Sequence, residues 1–205
     1  TNVFTGFAMD LTPAQALALS KADAVAGIYA DLPVSLSATQ STGVMRIGAP
    51  SATQDPVQMV DTTVAVLDTG VSQHSNLNVN FGFDAYAAAN SNQAPTCGLL
   101  TPTQSQIWES ASLWGDPNNS QHGTHVAGII GAEGQNGVVG VAPGANILAI
   151  KVFPTSGNAT FSTIACGLDW MLANQYRYNV GVVNMSIEGP ATGGNCSSDA
   201  LHIAV

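Results

Sequence analysis

Residues 62–68 read TTVAVLD, β-branched and apolar without interruption until the closing aspartate. A strand with one face in water alternates apolar and polar residues, so an unbroken run predicts a strand buried on both faces. NILAIKVF at 146–153 has the same texture, and VGVVNMS at 180–186 predicts a third strand. Between them, STIACGLDWMLANQY carries Ile164, Leu168, Met171 and Leu172 at helical spacing. HGTHVAGIIGA, at 122–132, opens another helix, and SSDALHIAV, at 197–205, opens a last one. Strands alternating with helices predict an α/β fold, a parallel sheet flanked by helices. In such sheets sites lie at the carboxyl ends of the strands, where Asp68 and Ser186 fall.

The first 38 residues have a different character. VFTGFA, at 3–8, predicts a short strand. Thr12 as N-cap, Pro13 at the first helical position and Gln15 completing a capping box predict a helix from Pro13 to about Lys21. VAGIYADLPV, at 25–34, predicts a returning strand interrupted by Pro33. From Ser35 to Gln54 the chain turns to Ser, Thr, Gln, Gly and Pro, the texture of a linker. Residues 82–121 are mostly polar and read as loop.

Charge excludes several functions. The net charge is −9, and Lys21, Arg46, Lys151 and Arg177 are the only basic residues apart from histidines. Without a basic cluster nothing displaces phosphate counterions, which argues against nucleic acid or an anionic membrane as partner. No apolar run reaches the length of a membrane span. No glycine-rich phosphate loop is present. Cys97, Cys166 and Cys196 form no CxxC knuckle, and their odd number leaves a free thiol or a bridge to a partner outside this chain.

Two segments carry chemistry. Asp68 ends a buried strand, where a carboxylate needs donors or a cation to hold it. His122 stands where a helix begins, so its ring can project into a cleft and take a proton while a carboxylate fixes its tautomer. His125 is expected to pack inside the helix as a structural residue.

Together VAVLDTGV and HGTHVAGIIGA resemble the aspartate and histidine segments of the subtilisin-like serine endopeptidases, in the chain order Asp, His, Ser. GVVGVAPGANILAIKVF, GLDWMLAN and VVNMSIEGP are similar to the segments that follow. The resemblance implies that Asp68 orients His122 and His122 is the general base. Ser186, Ile187 and Gly189 would line the cleft and bond an extended peptide substrate as an added strand. Glu188 departs from the glycine usual in the family. The nucleophile belongs to a GTS[MA] segment expected beyond Val205, and Ser186 is a poor substitute because it belongs to the substrate strand. The alternatives are a catalytically inactive homologue that binds peptide or a protease, and a non-enzymatic α/β binding module.

GFAMDLTPAQALALSKADAVAGIYADLPV, at 6–34, resembles the second half of the family's inhibitor propeptide, and TQSTGVMRIGA, at 39–49, a mature N-terminus. This divides the chain into a partial α+β propeptide, 1–38, and an incomplete catalytic domain, 39–205, with the junction near Ser37 to Gln40. The resemblance further implies secretion, with any export signal upstream of Thr1, a monomer when complete, and the propeptide as intramolecular inhibitor. A cysteine beyond Val205 would bridge Cys196 and leave Cys97 and Cys166 to each other; the competing reading is three buried thiols. The chemistry needs no cofactor. Structural calcium is frequent in the family, and here Asn136 is kept while Asn76 stands where an aspartate is expected, which weakens the ligand set.

Overall fold

The computed structural model describes residues 5–36, 43–44, 47, 62–91, 97, 109–116, 121–154 and 158–189. In chain order these form α1 (Pro13–Leu19), β1 (Pro33–Leu36), β2 (Thr63–Asp68), β3 (Asn78–Asp84), α2 (Ala85–Ala89), α3 (Ala111–Trp114) and α4 (His122–Gly131). A 3-10 turn (Gln135–Gly137), β4 (Asn146–Lys151), β5 (Ala159–Thr160), α5 (Phe161–Asn174), β6 (Val180–Asn184) and β7 (Ile187–Glu188) follow.

The main sheet runs β3-β4-β2-β6, parallel throughout. Alternate residues of a strand face opposite sides, and both sides of the central strands β2 and β4 are covered. Ala65 and Leu67 of β2 join Leu148 and Ile150 of β4 in one core, against Ile164, Leu168, Trp170 and Met171 of α5. Phe83 stacks on Trp170 there, with ring centroids 4.3 Å apart. Val64 and Val66 join Ile147 and Ala149 in a second core, against Val126 and Ala127 of α4 and Trp114. The uninterrupted apolar runs of β2 and β4 therefore reflect burial on both faces. The fold is α/β, with helices flanking a parallel sheet, as the sequence predicts.

Register aligns the carboxyl ends of three strands. Asp84, Lys151 and Asp68 are neighbours across β3, β4 and β2. Counting alternate positions from Val66 and Ala149 turns Asp68 and Lys151 toward the α4 side.

A second, antiparallel sheet runs β5-β1-β7. Its middle strand comes from the N-terminal region: Pro33 and Val34 pair with Thr160 and Ala159, and Ser35 and Leu36 with Glu188 and Ile187. The helix before it, α1, has the Thr12–Gln15 capping box in full and no buried residue.

Several expectations need correction. Residues 5–8 form no strand. The returning strand is not interrupted by Pro33 but begins there, because a residue without an N–H suits the first position of a strand. Residues 25–32 form no strand. The supposed loop from 82 begins inside β3 and continues into α2; β3 alternates Val79, Phe81 and Phe83 with polar or glycine positions, a pattern that hides an outer strand among loop residues. Most of the 35–54 linker and all of 197–205 lie outside the described residues.

A disulfide joins Cys97 to Cys166, 69 residues apart, so these two are not free thiols. Closing a loop of that length restricts the unfolded chain by about 4 kcal/mol in the entropic account. Cys196 lies outside the described residues. Among the described residues, no helix is long and apolar enough to cross a membrane.

Candidate active site

Asp68, the last residue of β2, is fully buried. Its Oδ1 lies 2.8 Å from His122 Nδ1 and accepts from the Thr69 backbone N–H at 2.7 Å. Its Oδ2 has no hydrogen-bond partner among the described residues. Burial pushes the carboxyl above its ordinary value, and the bonds from His122 and Thr69 oppose that rise. The arrangement suits a carboxylate that accepts the Nδ1 proton, fixing the imidazole tautomer and leaving Nε2 to act on a third group.

Two glycines bring the pair together. His122 is the first residue of α4, and the preceding Gln121 turns the chain with φ of 53°. Gly123 packs directly on β2, where a Cβ would collide with the Gly70 carbonyl and press on Asp68 Cβ. Gly70 has φ of +107°, a conformation L side chains avoid, and its own missing Cβ makes room for the Trp114 carbonyl. The helix start can thus lie against the strand end.

Further residues, unrecognised from sequence, complete the surroundings. Gly123 N–H donates to Thr69 Oγ1 at 2.9 Å, and Thr69 Oγ1 donates to Asp116 Oδ1 at 2.9 Å. Asp116 Oδ2 accepts from the Thr124 N–H at 2.9 Å and from its hydroxyl at 2.8 Å. Asp116 therefore caps α4 from the segment just before it, while Gln121 makes no side-chain cap. From the other side the buried Lys151 Nζ donates to the Thr69 carbonyl at 2.6 Å. Burial lowers the Lys151 pKa, while Asp84, Asp116 and Asp68 push it back up. Asp84, which caps α2 through the Ala87 N–H, is itself raised by burial. Asp116 had one visible signal, a lone acid six residues before His122 in an uncharged stretch.

His125 does not pack inside the helix; it is exposed. At 100° per residue it lies ~150° around α4 from the centre of the buried face that Gly123, Val126 and Ala127 define.

The remaining predicted residues lie around β1. Ile187 belongs to β7 and pairs with Leu36, Gly189 follows that strand, and Ser186 precedes it, its Oγ accepting from Asn184 Nδ2 at 3.0 Å. Val34 is buried, and a Cβ on Gly189 would lie 3.4 Å from both Phe161 and Val34. Just before β1, Asp31 caps α5, accepting from the Ser162 N–H at 2.9 Å and its hydroxyl at 2.6 Å.

The side chain of Asn76 is taken up by hydrogen bonds to the loop after α4. Its Oδ1 accepts from the Gln135 N–H at 2.8 Å and its Nδ2 donates to the Val138 carbonyl at 3.2 Å, so the amide pins the loop after α4 through hydrogen bonds. The side chain of Asn136 lies outside the described residues, and among those described no three His, Cys, Asp or Glu gather as a metal-holding group.

The sequence model of the Subtilase family matches residues 60–204. The chain is 32% identical over 165 residues to Subtilisin E of Bacillus subtilis (strain 168), covering 80% of this chain and 36% of that protein. It is 32% identical over 185 residues to an Alkaline protease of Alkalihalobacillus alcalophilus, covering 89% of this chain and 41% of that protein. To a Subtilisin of Bacillus pumilus it is 32% identical over 165 residues, or 80% of this chain and 50% of that protein. The chain thus spans half or less of the length of these relatives.

Proposed function

The chain belongs to the subtilase family, and we propose that it is part of a secreted serine endopeptidase, running from within the propeptide into the catalytic domain, with Asp68 and His122 as two members of a catalytic triad. The observation that carries this reading is the 2.8 Å contact between Asp68 Oδ1 and His122 Nδ1 at the carboxyl end of a buried parallel strand. His122 Nε2 takes the proton of a serine hydroxyl supplied from beyond Val205 as that oxygen attacks a peptide carbonyl. Asp68 holds the ring and stabilises the imidazolium; His122 then returns the proton to the leaving amine, and water hydrolyses the acyl-enzyme.

Residues 1–38 act as the inhibitory propeptide. The pairing of β1 between β5 and β7 supports this, because an extended segment there occupies the place a substrate would take. Ser186, Ile187 and Gly189 line that cleft. Val34, buried against Phe161, supports a preference for a small aliphatic residue at the corresponding subsite.

The test is labelling of the full-length protein by a serine-directed fluorophosphonate after release of residues 1–38. Labelling and peptide hydrolysis, both lost in His122→Ala, are the expected result. The 205-residue chain alone should take no label. A folded full-length protein that neither labels nor hydrolyses peptides would overturn the proposal in favour of an inactive, peptide-binding homologue.

A further inference from the structure

Thr69 is the meeting point of the groups around Asp68. It has one hydroxyl proton and two carboxylates within reach, Asp116 Oδ1 at 2.9 Å and Asp68 Oδ1 at 3.3 Å. Its oxygen is already an acceptor for the Gly123 N–H. Both oxygens of Asp116 accept, one from Thr69 and the other twice from Thr124. Asp116 is nearly as buried as Asp68.

We propose that Asp116 is a positioning residue for the Asp68–His122 pair: by drawing the Thr69 hydroxyl proton to itself, it leaves Asp68 Oδ1 to His122 while anchoring the helix that carries His122. A carboxylate that gains a third good donor holds its charge more comfortably and attracts a neighbouring imidazolium less. Asp116 withholds that donor. Its bonds to the Thr124 N–H and hydroxyl fix the first turn of α4, so the same side chain sets both the distance and the strength of the contact. Lys151, on the opposite side of Thr69, holds the carbonyl and leaves the hydroxyl to turn toward Asp116. Among the described residues, the charged groups near the pair from the packed elements are Asp84 of β3, Lys151 of β4 and Asp116; His125, on α4 itself, is exposed.

The inference rests on reading Asp68–His122 as the base pair of the site, but its test needs no nucleophile. The titration of His122 in the 205-residue chain, followed by NMR of its imidazole nitrogens, is the readout. In Asp116→Asn the amide N–H₂ donates to Thr69 Oγ1 and frees the hydroxyl proton for Asp68. The midpoint of His122 should fall by about half a unit, roughly threefold in proton affinity. Thr69→Val should leave the midpoint within about 0.2 unit, because the proton it removes was not serving Asp68. Asp116→Asn introduced on top of Thr69→Val should lower the midpoint by less than about half as much as it does alone. A role confined to capping α4 would change the melting temperature and leave the midpoint in place. A folded Asp116→Asn without a shift, a rise of about half a unit in Thr69→Val, or an equal shift in both backgrounds would each overturn the proposal. Since hydrolysis and labelling are not measured, this can fail while the protease reading stands, and the reverse.

Discussion

Two helices of this molecule begin under a carboxylate from outside the helix, Asp116 from just before α4 and Asp31 from far back in the chain before α5. Asp116 caps α4 from within the core, with both oxygens engaged and its neighbours Thr69 and Lys151 buried. Asp31 caps α5 with the same chemistry, from an exposed position on an N-terminal segment whose one helix buries nothing. The hydrogen bonds are alike and the surroundings are not. A cap inside the core is set by everything packed around it. A cap at the surface competes with water and holds a segment that is otherwise attached by short strand pairings and the burial of Val34. The first is suited to fixing geometry, the second to release.

The sharpest way to break the core side of this contrast is Gly123→Val. No rotamer relieves the collision with the Gly70 carbonyl, so α4 must move off β2. A loss of about 4 kcal/mol or more, or failure to fold, is expected in chemical denaturation. Asp68→Asn acts in the opposite sense. Burial raises this carboxyl above 3.8, so the folded state holds the proton more tightly than the unfolded state does. Stability therefore declines as pH rises from that ordinary value through the raised one, and the charge remains a cost above it. The asparagine variant should be more stable by about 1 kcal/mol at pH 7, and this gain should vanish below about pH 4. Equal gains at pH 3 and pH 7 would show that charge burial is not the cause. Asp31→Ala should have the smallest global effect, about 0.5–1 kcal/mol, concentrated in faster amide exchange of residues 34–36. If exchange in β2 quickened equally, the two caps would not be energetically separate.

The parts of the fold legible in the sequence were those whose physics is local. TTVAVLD and NILAIKVF declare burial on both faces by lacking polar positions, and the Thr12–Gln15 box declares its helix. The outer strand β3 escaped notice because Asn78, Asn80 and Gly82 break its apolar residues into a pattern shared with loops. The prominence of Asp68 and His122 was visible because each stands at an element boundary. Lys151 and Asp116 were not, since their meaning arises from strand register and from a bond to Thr69, 82 and 47 residues away. His125 was misjudged because it lies only about 60° around α4 from His122, on the side turned away from Gly123, Val126 and Ala127.

The position of β1 between two antiparallel neighbours has one more consequence. Without residues 33–36, β5 and β7 would be facing edges one strand apart, each with unpaired main-chain groups. Whatever fills that gap must run in the direction of β1 to present donors and acceptors to both sides at once. Proline fits at its first position, as Pro33 does, and is disfavoured where both neighbours need an N–H. The gap is thus a filter on backbone polarity and extension before any side chain is read.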